Sequence, residues 1–266
     1  MSIDPSANIH ASAVIEQGAV IGEGCEIGAF CFVGADVKMG ARCVLMNHAV
    51  VKGQTTLGEE NTIFSFAVVG EIPQDKKFGG EITRLEIGAR NRIREHVTVN
   101  TGTEGGGSLT KIGDDCLLMA GCHIAHDVIL ANNVIVVNSA AVAGHCIIED
   151  DVIIGGLAGI HQFVRIGKGA IIGAVTMVTN DVIPYGLVQA PRGQLDGLNL
   201  VGLKRRGVER SDIMALRAAF QMMAQGDGTF QDRVKRMGED SDSRYVHHIV
   251  EFVTGVTDRS FLTPGG

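Results

Sequence analysis

The segment Ile112–Ile148 reads IGDDCLLMAGCHIAHDVILANNVIVVNSAAVAGHCII. An aliphatic residue falls at every sixth position: Ile112, Leu118, Ile124, Leu130, Val136, Val142 and Ile148. Neither the 3.6-residue period of a helix nor the two-residue alternation of a long strand yields a period of six. Short strands separated by corners do. Two residues before the aliphatic position the side chain is often small, as at Cys116, Cys122, Ala140 and Cys146. Residues two apart in a strand share a face, so the small and the aliphatic side chains point inward together. The glycine-rich pair that follows is expected to turn the corner.

The period runs in both directions from this segment. It starts at Ile3 and holds to Val69, returns at Ile87, Ile93 and Val99, and continues beyond Ile148 to Val178, twenty-seven hexads in all. Three sides close a triangular coil of eighteen residues, and stacked coils make a parallel β-helix. Nine coils spaced by about 4.8 Å stand roughly 43 Å tall. All six cysteines (Cys25, Cys31, Cys43, Cys116, Cys122, Cys146) take the small inward position. That predicts buried reduced thiols, with no disulfide frame and no zinc site.

Composition agrees with such a prism. The 266 residues are 45% apolar with 36 Gly and no Trp, which fits an aliphatic core with many tight turns. A formal charge of -7 argues against nucleic acid as a partner. No run approaches the ~18–20 apolar residues of a membrane span. Residues Met1–Ser6 lack the basic and apolar regions of a secretory signal. A soluble cytoplasmic protein is expected.

Two breaks interrupt the repeat. The first, 70–86, replaces a coil's worth of residues and puts charged Asp75 and Glu81 at core positions, so the chain must leave the prism there. It carries Gln74, Asp75, Lys76 and Lys77. The second, 100–111, reads NTGTEGGGSLTK and lacks the spacing of a nucleotide P-loop. A loop of the first one's length is usually functional; flexible protrusion is the plainer reading of both. The expected division is a prism over 1–190, then a connecting segment and a small C-terminal helical domain over 191–266. Ser211 is a candidate N-cap for a helix with Ile213, Leu216, Phe220 and Met223 on one face. Phe230, Val234 and Met237 mark a second helix, and Tyr245, Ile249 and Phe252 a third. Leu203-Lys204-Arg205-Arg206-Gly207 lies between prism and helices. From Lys204 onward ten basic residues face nine acidic ones, against thirteen and twenty-one before it. The tail is thus the less acidic part.

The chemistry concentrates at Gly121-Cys122-His123-Ile124-Ala125-His126-Asp127. A histidine followed by a carboxylate is a possible base with an orienting acid. Residues eighteen apart stack, so Gly144 lies one coil beyond His126 and Gln162 two coils beyond, with His145 and His161 beside them. Four histidines gathered in one patch favour a site, holding either a metal or a substrate. A glycine N–H above the base could approach a thioester oxygen and stabilise the oxyanion formed on attack.

Six strings carry a resemblance: VGEIPQDKKFGGEITRLEIG from Val69, RNRIREHVTVN from Arg90, LLMAGCHIAHD from Leu117, AVAGHC from Ala141, GIHQFVRIG from Gly159 and NLVGLKRRG from Asn199. On these the chain resembles, essentially over its full length, the acyl-[acyl-carrier-protein]–UDP-N-acetylglucosamine O-acyltransferases, which open lipid A biosynthesis. The resemblance implies a left-handed β-helix and a homotrimer with active sites in clefts between neighbouring prisms. It implies an acidic acyl carrier protein as donor, UDP-N-acetylglucosamine as acceptor, and no metal or other cofactor. His126 would be the general base acting on the sugar 3-hydroxyl, Asp127 its orienting carboxylate and Gly144 the oxyanion donor. Gln74, Asp75, Lys77, His123, His145, His161 and Gln162 would line the substrate cleft. Asn199, Arg205 and Arg206 would surround the nucleotide, where the guanidinium fork suits a diphosphate.

Three positions depart from the family's pattern. Asn100 stands in place of His, which leaves open a 3-amino sugar and N-acyl transfer. Val201 stands in place of Glu. Ala174 replaces a glycine at the floor of the acyl groove, and it lies roughly 13 Å of axial rise beyond His126. Other readings are the later N-acyltransferase of the same pathway, a zinc β-helix carbonic anhydrase with three histidine ligands, and a non-catalytic scaffold. The N-acyltransferase usually carries an extra N-terminal domain, whereas here the hexads begin at Ile3.

Overall fold

The computed structural model describes residues 2–189, 193–225, 227–255 and 260–264. Twenty-seven short strands, from Ser2–Ile3 to Met177–Val178, carry one hexad each. They form three parallel sheets, one per side of a triangular prism, and every third strand is a neighbour. Within the uninterrupted stretches the register is eighteen residues: Ser2 pairs with Val20, Asn8 with Glu26 and Val142 with Ile160.

The hexad aliphatics fill the prism. Leu45, Ile63, Ile93, Ile124 and Val136 are at most 1% exposed, and each such side chain contributes about 1.5–3 kcal/mol by leaving water. Ile3, Ile9 and Ile15 stay half-buried because among the described residues no coil lies below them. All six cysteines are buried, and among the described residues no disulfide links them. Burial pushes the Cys116 thiol up to about 11 and the Cys122 thiol up to about 12, so both stay protonated.

The corners differ in one respect from expectation. They are built by the second and third residues after the aliphatic one, and the third is left-handed: φ is +59° at Phe30, +64° at His48, +60° at Asp127 and +61° at His145. Most of these residues are not glycine. The glycines that directly follow the aliphatic position serve stacking instead. At Gly22, Gly40 and Gly58 a Cβ would lie 2.7 Å from a backbone carbon of the next coil.

Both insertions leave the prism at one and the same corner, between the third side and the first. Leu57 pairs with Ile87 and Ile87 with Ile112, so the spacing widens from eighteen to thirty and then twenty-five. Each side still keeps its nine strands of the repeat. The first loop, 72–83, is therefore added at a corner and replaces no coil. The second is shorter than expected, since Thr98–Asn100 and Leu109–Ile112 are strands and only 101–108 connects them.

At the top, Gly186–Gln189 extends the second sheet and Gln194–Leu198 returns on it antiparallel. The sheet thus continues past position 191; the expected boundary at 190/191 itself lies outside the described residues. Four helices follow: α1 (Leu200–Arg205), α2 (Arg210–Ala224), α3 (Phe230–Glu239) and α4 (Arg244–Thr254). α1 was not expected, and it contains the Lys204-Arg205 pair. α2 begins a residue before Ser211, with Glu209 at its N-cap and no side-chain cap bond. Ile213, Leu216 and Met223 are buried as expected, and Phe220 packs partly buried against them. α3 opens with a capping box between Thr229 and Asp232. The helices are pinned to the prism by Arg165, which donates to Asp181 at 2.8 Å and lies 4.6 Å from the Phe252 ring centroid. Tyr185 and His248 add a 2.9 Å hydrogen bond. Among the described residues no helix is long and apolar enough to cross a membrane.

Candidate active site

His126 and Asp127 are the two corner residues that follow the strand His123–Ile124, one coil beyond the second loop. Strand neighbours point apart, but the left-handed φ of Asp127 swings its carboxylate back toward the imidazole. His126 Nδ1 and Asp127 Oδ2 are 2.8 Å apart. The carboxylate is nearly buried and also accepts from the Thr103 N–H at 2.8 Å and the Thr103 hydroxyl at 2.6 Å. An acceptor so engaged takes the imidazole's Nδ1 proton as its third donor, which leaves the Nε2 lone pair as the basic position.

Gly144 covers the imidazole. A Cβ there would lie 2.5 Å from His126 Cε1 and 2.8 Å from Nε2, so no other residue type fits without moving the ring. Among the described residues the Gly144 N–H has no hydrogen-bond partner. A basic nitrogen and an available N–H therefore meet at one corner. This is the geometry that proton abstraction and oxyanion stabilisation need in acyl transfer.

His145 is the next corner residue along. Its ring meets that of His126 edge-on with centroids 5.1 Å apart, and it stacks on Phe163 at 4.4 Å. Its Nδ1 lies 3.7 Å from Asp127 Oδ2. His123 sits on the preceding strand and shares a 2.8 Å hydrogen bond with Thr98 Oγ1. Burial lowers the pKa of both histidines. The His126 charge adds to the effect at His123, and the Asp127 carboxylate opposes it at His145. Both are thus held neutral at neutral pH. His126, Asp127 and His145 each offer one ligand atom within 4.8 Å of the others, a set that could hold a divalent ion.

The first loop closes over this corner. Asp75, Lys77 and Phe78 from the loop, with Thr103, His145 and Phe163, line a pocket of about 340 Å³. Gln74 is exposed on the same loop. His161 and Gln162 are exposed one coil beyond Gly144, with His161 Nδ1 3.1 Å from the Gln162 carbonyl. A larger groove, about 410 Å³, lies near Asn8, His10 and Met46, away from this cluster.

Other expected residues are not brought here within one chain. Asn199 is buried and engaged in the fold: it caps α1 by accepting from Gly202 N–H and donates to the Gly169 carbonyl, both at 2.9 Å. Arg205 and Arg206 are exposed at the end of α1. Arg206 reaches the corner at Gly169, which follows the first side, whereas His126 follows the third. Ala174 is exposed on the remaining corner beside Val175. Asn100 is 2% exposed and donates to the Ile72 carbonyl at 3.0 Å, while among the described residues its Oδ1 has no partner. Val201 is exposed on α1. Sequence reasoning missed Thr98, Thr103 and Phe163. No local pattern marks them, and the loop holding Thr103, whose role the sequence leaves open, packs on Asp127.

Comparison with known proteins bears on this geometry. Residues 109–144 match the bacterial transferase hexapeptide (six repeats) family, and residues 181–262 match the family described as Udp N-acetylglucosamine O-acyltransferase, Domain 2. An acyl-[acyl-carrier-protein]–UDP-N-acetylglucosamine O-acyltransferase of Paracoccus denitrificans is 64% identical over 203 residues, 76% of this chain and 77% of that protein. One of the same description from Nautilia profundicola is 48% identical over 198 residues, 74% and 76% of the two chains. The solved UDP-N-acetylglucosamine acyltransferase from Campylobacter jejuni superposes with a TM-score of 0.91 at 38% identity, covering 96% of this chain and 99% of that one. The coil is accordingly the left-handed parallel β-helix of such enzymes.

Proposed function

This chain belongs to the acyl-[acyl-carrier-protein]–UDP-N-acetylglucosamine O-acyltransferases, and on that premise we propose that His126 is the general base of an acyl transfer from acyl carrier protein to UDP-N-acetylglucosamine. The reaction is the first step of lipid A biosynthesis. The observation that carries the assignment is the His126–Asp127 pair at 2.8 Å beneath a glycine whose N–H is available.

His126 Nε2 takes the proton of the sugar 3-hydroxyl as its oxygen attacks the thioester carbonyl carbon. The carbonyl oxygen becomes an oxyanion and accepts from Gly144 N–H. Collapse re-forms the carbonyl and breaks the C–S bond, and the imidazolium returns its proton to the leaving carrier thiolate. Neutral His145 and His123 serve as hydrogen-bonding walls that do not compete for the proton. Asp75, Lys77 and Gln74 on the first loop, with His161 and Gln162, bind the substrates around the corner.

Arg205 and Arg206 hold the diphosphate, and Asn199 supports them by capping α1. Because this group and His126 occupy different corners of one prism, the complete site lies between chains of a homotrimer. The exposed Lys204-Arg205-Arg206 run also offers charge to an acidic carrier protein. Ala174 bounds the acyl groove. A cytoplasmic location fits a soluble carrier-protein donor.

The test is His126→Ala, assayed with acyl carrier protein thioester and UDP-N-acetylglucosamine and sized by light scattering. The expected result is an intact trimer with transfer reduced at least about a thousandfold. Activity near that of the unaltered enzyme would remove the assignment.

A further inference from the structure

The second loop and the strand that follows it hold Asp127 from two sides. On one side the Thr103 N–H donates to Oδ1 at 2.8 Å and the Thr103 hydroxyl to Oδ2 at 2.6 Å. On the other, Thr110 Oγ1 accepts from the Asp127 N–H at 2.7 Å and so braces the left-handed corner. Thr103, Thr110 and Asp127 are 7%, 0% and 5% exposed. Gly106 lies flat against the carboxylate, where any Cβ would overlap it. The acid is thus enclosed between the loop and the imidazole.

A carboxylate this buried needs hydrogen-bond donors around it. The corner supplies one, the His126 imidazole. The loop supplies the other two, both from Thr103. We propose that Thr103 is a positioning residue for the proton transfer: its hydroxyl aims Asp127 Oδ2 at His126 Nδ1 and thereby keeps the proton on Nδ1 and the lone pair on Nε2. The proposal rests on the reading of His126 as base.

The hydroxyl is separable from the loop's own architecture. Ser108 N–H donates to the Thr103 carbonyl at 2.8 Å, and Gly102 N–H to the Arg84 carbonyl at 3.2 Å. Thr83 and Thr101 share a buried 2.9 Å hydrogen bond that ties the two loops together. A nearly isosteric Thr103→Val keeps all of these and the N–H bond to Oδ1. It removes only the bond to the oxygen that faces the imidazole.

The experiment compares full-length Thr103→Val, Thr103→Ser and His126→Ala, measuring kcat and KM across pH with acyl carrier protein thioester and UDP-N-acetylglucosamine. Thr103→Val is expected to lose about tenfold to a hundredfold in kcat, the worth of one hydrogen bond to a charged group, with KM little changed. Thr103→Ser restores most of it. Unaltered kcat in Thr103→Val, beside an inactive His126→Ala, would overturn this proposal alone. Equal impairment of the valine and serine variants, or a loss that falls on KM rather than kcat, would also overturn it, since the hydroxyl would then serve only the loop. Full activity in His126→Ala would remove the base and this proposal together.

Discussion

A methyl group at Gly144 would sit 2.5–2.8 Å from Cε1 and Nε2 of His126, closer than any van der Waals contact. The backbone φ there is not left-handed, so alanine meets no backbone penalty and the whole strain falls on the imidazole. Gly144→Ala is expected to fold, with overpacking costing about 1–3 kcal/mol, and to lower kcat by about a hundredfold by displacing the base. Steady-state kinetics beside a thermal melt checks this; an unimpaired kcat would mean that the ring has room to move without consequence. The same pair shows the reach of sequence reading at this scale. The stacking of Gly144 on His126 followed from the eighteen-residue repeat. The contact between His126 and Asp127 did not, because it needs a left-handed corner. Those corners accept Phe, Arg, His, Glu, Asn, Ser, Leu and Val as well as Asp, so composition carries no mark of them.

Elements were legible in proportion to how strictly they repeat. Every hexad aliphatic from Ile3 to Val178 lies in a strand, since burial on one face leaves the register no freedom. α1 was not legible: six residues, with Val201 and Gly202 among them, are too few to form a helix on their own, and Asn199 caps it. The start of α2 was misplaced for the same reason in reverse, as Ser211 resembles a cap but the chain enters at Glu209 without one. At the level of the corner, Ala174 is exposed on the edge that also presents Leu157 and Val175, an apolar line suited to an acyl chain. Ala174→Gly is expected to shift chain preference toward a longer acyl group by roughly 1–3 kcal/mol. Competing thioesters of graded length, read by product mass, checks this, and an unchanged profile would free Ala174 of the role.

The whole molecule divides its proposed site between edges that one prism cannot bring together: the base on one, the arginines on another. Assembly then becomes part of catalysis. On the proposed trimeric arrangement, His126→Ala and the double variant Arg205→Ala with Arg206→Ala are each expected to be nearly inactive. When the two are unfolded, mixed and refolded together, each mixed trimer has one interface with both wild-type halves. Recovery of up to about a quarter of the unaltered activity is expected from cyclic symmetry, and no recovery would place the complete site within a single chain.

The half-buried first coil, Ile3, Ile9 and Ile15, gives the prism a direction. A solenoid is held by nearest-neighbour interfaces alone, so it comes apart from whichever end is less well sealed. Among the described residues the first coil has no cover, and the other end is stoppered by a returning strand and helices pinned through Arg165 and Tyr185. Unzipping is therefore expected to advance from the first described coil, and His126 lies in the sixth of nine coils, toward the stoppered end. Several coils could then fray and re-form while the His126 corner keeps its shape, as if the near end were a sacrificial margin.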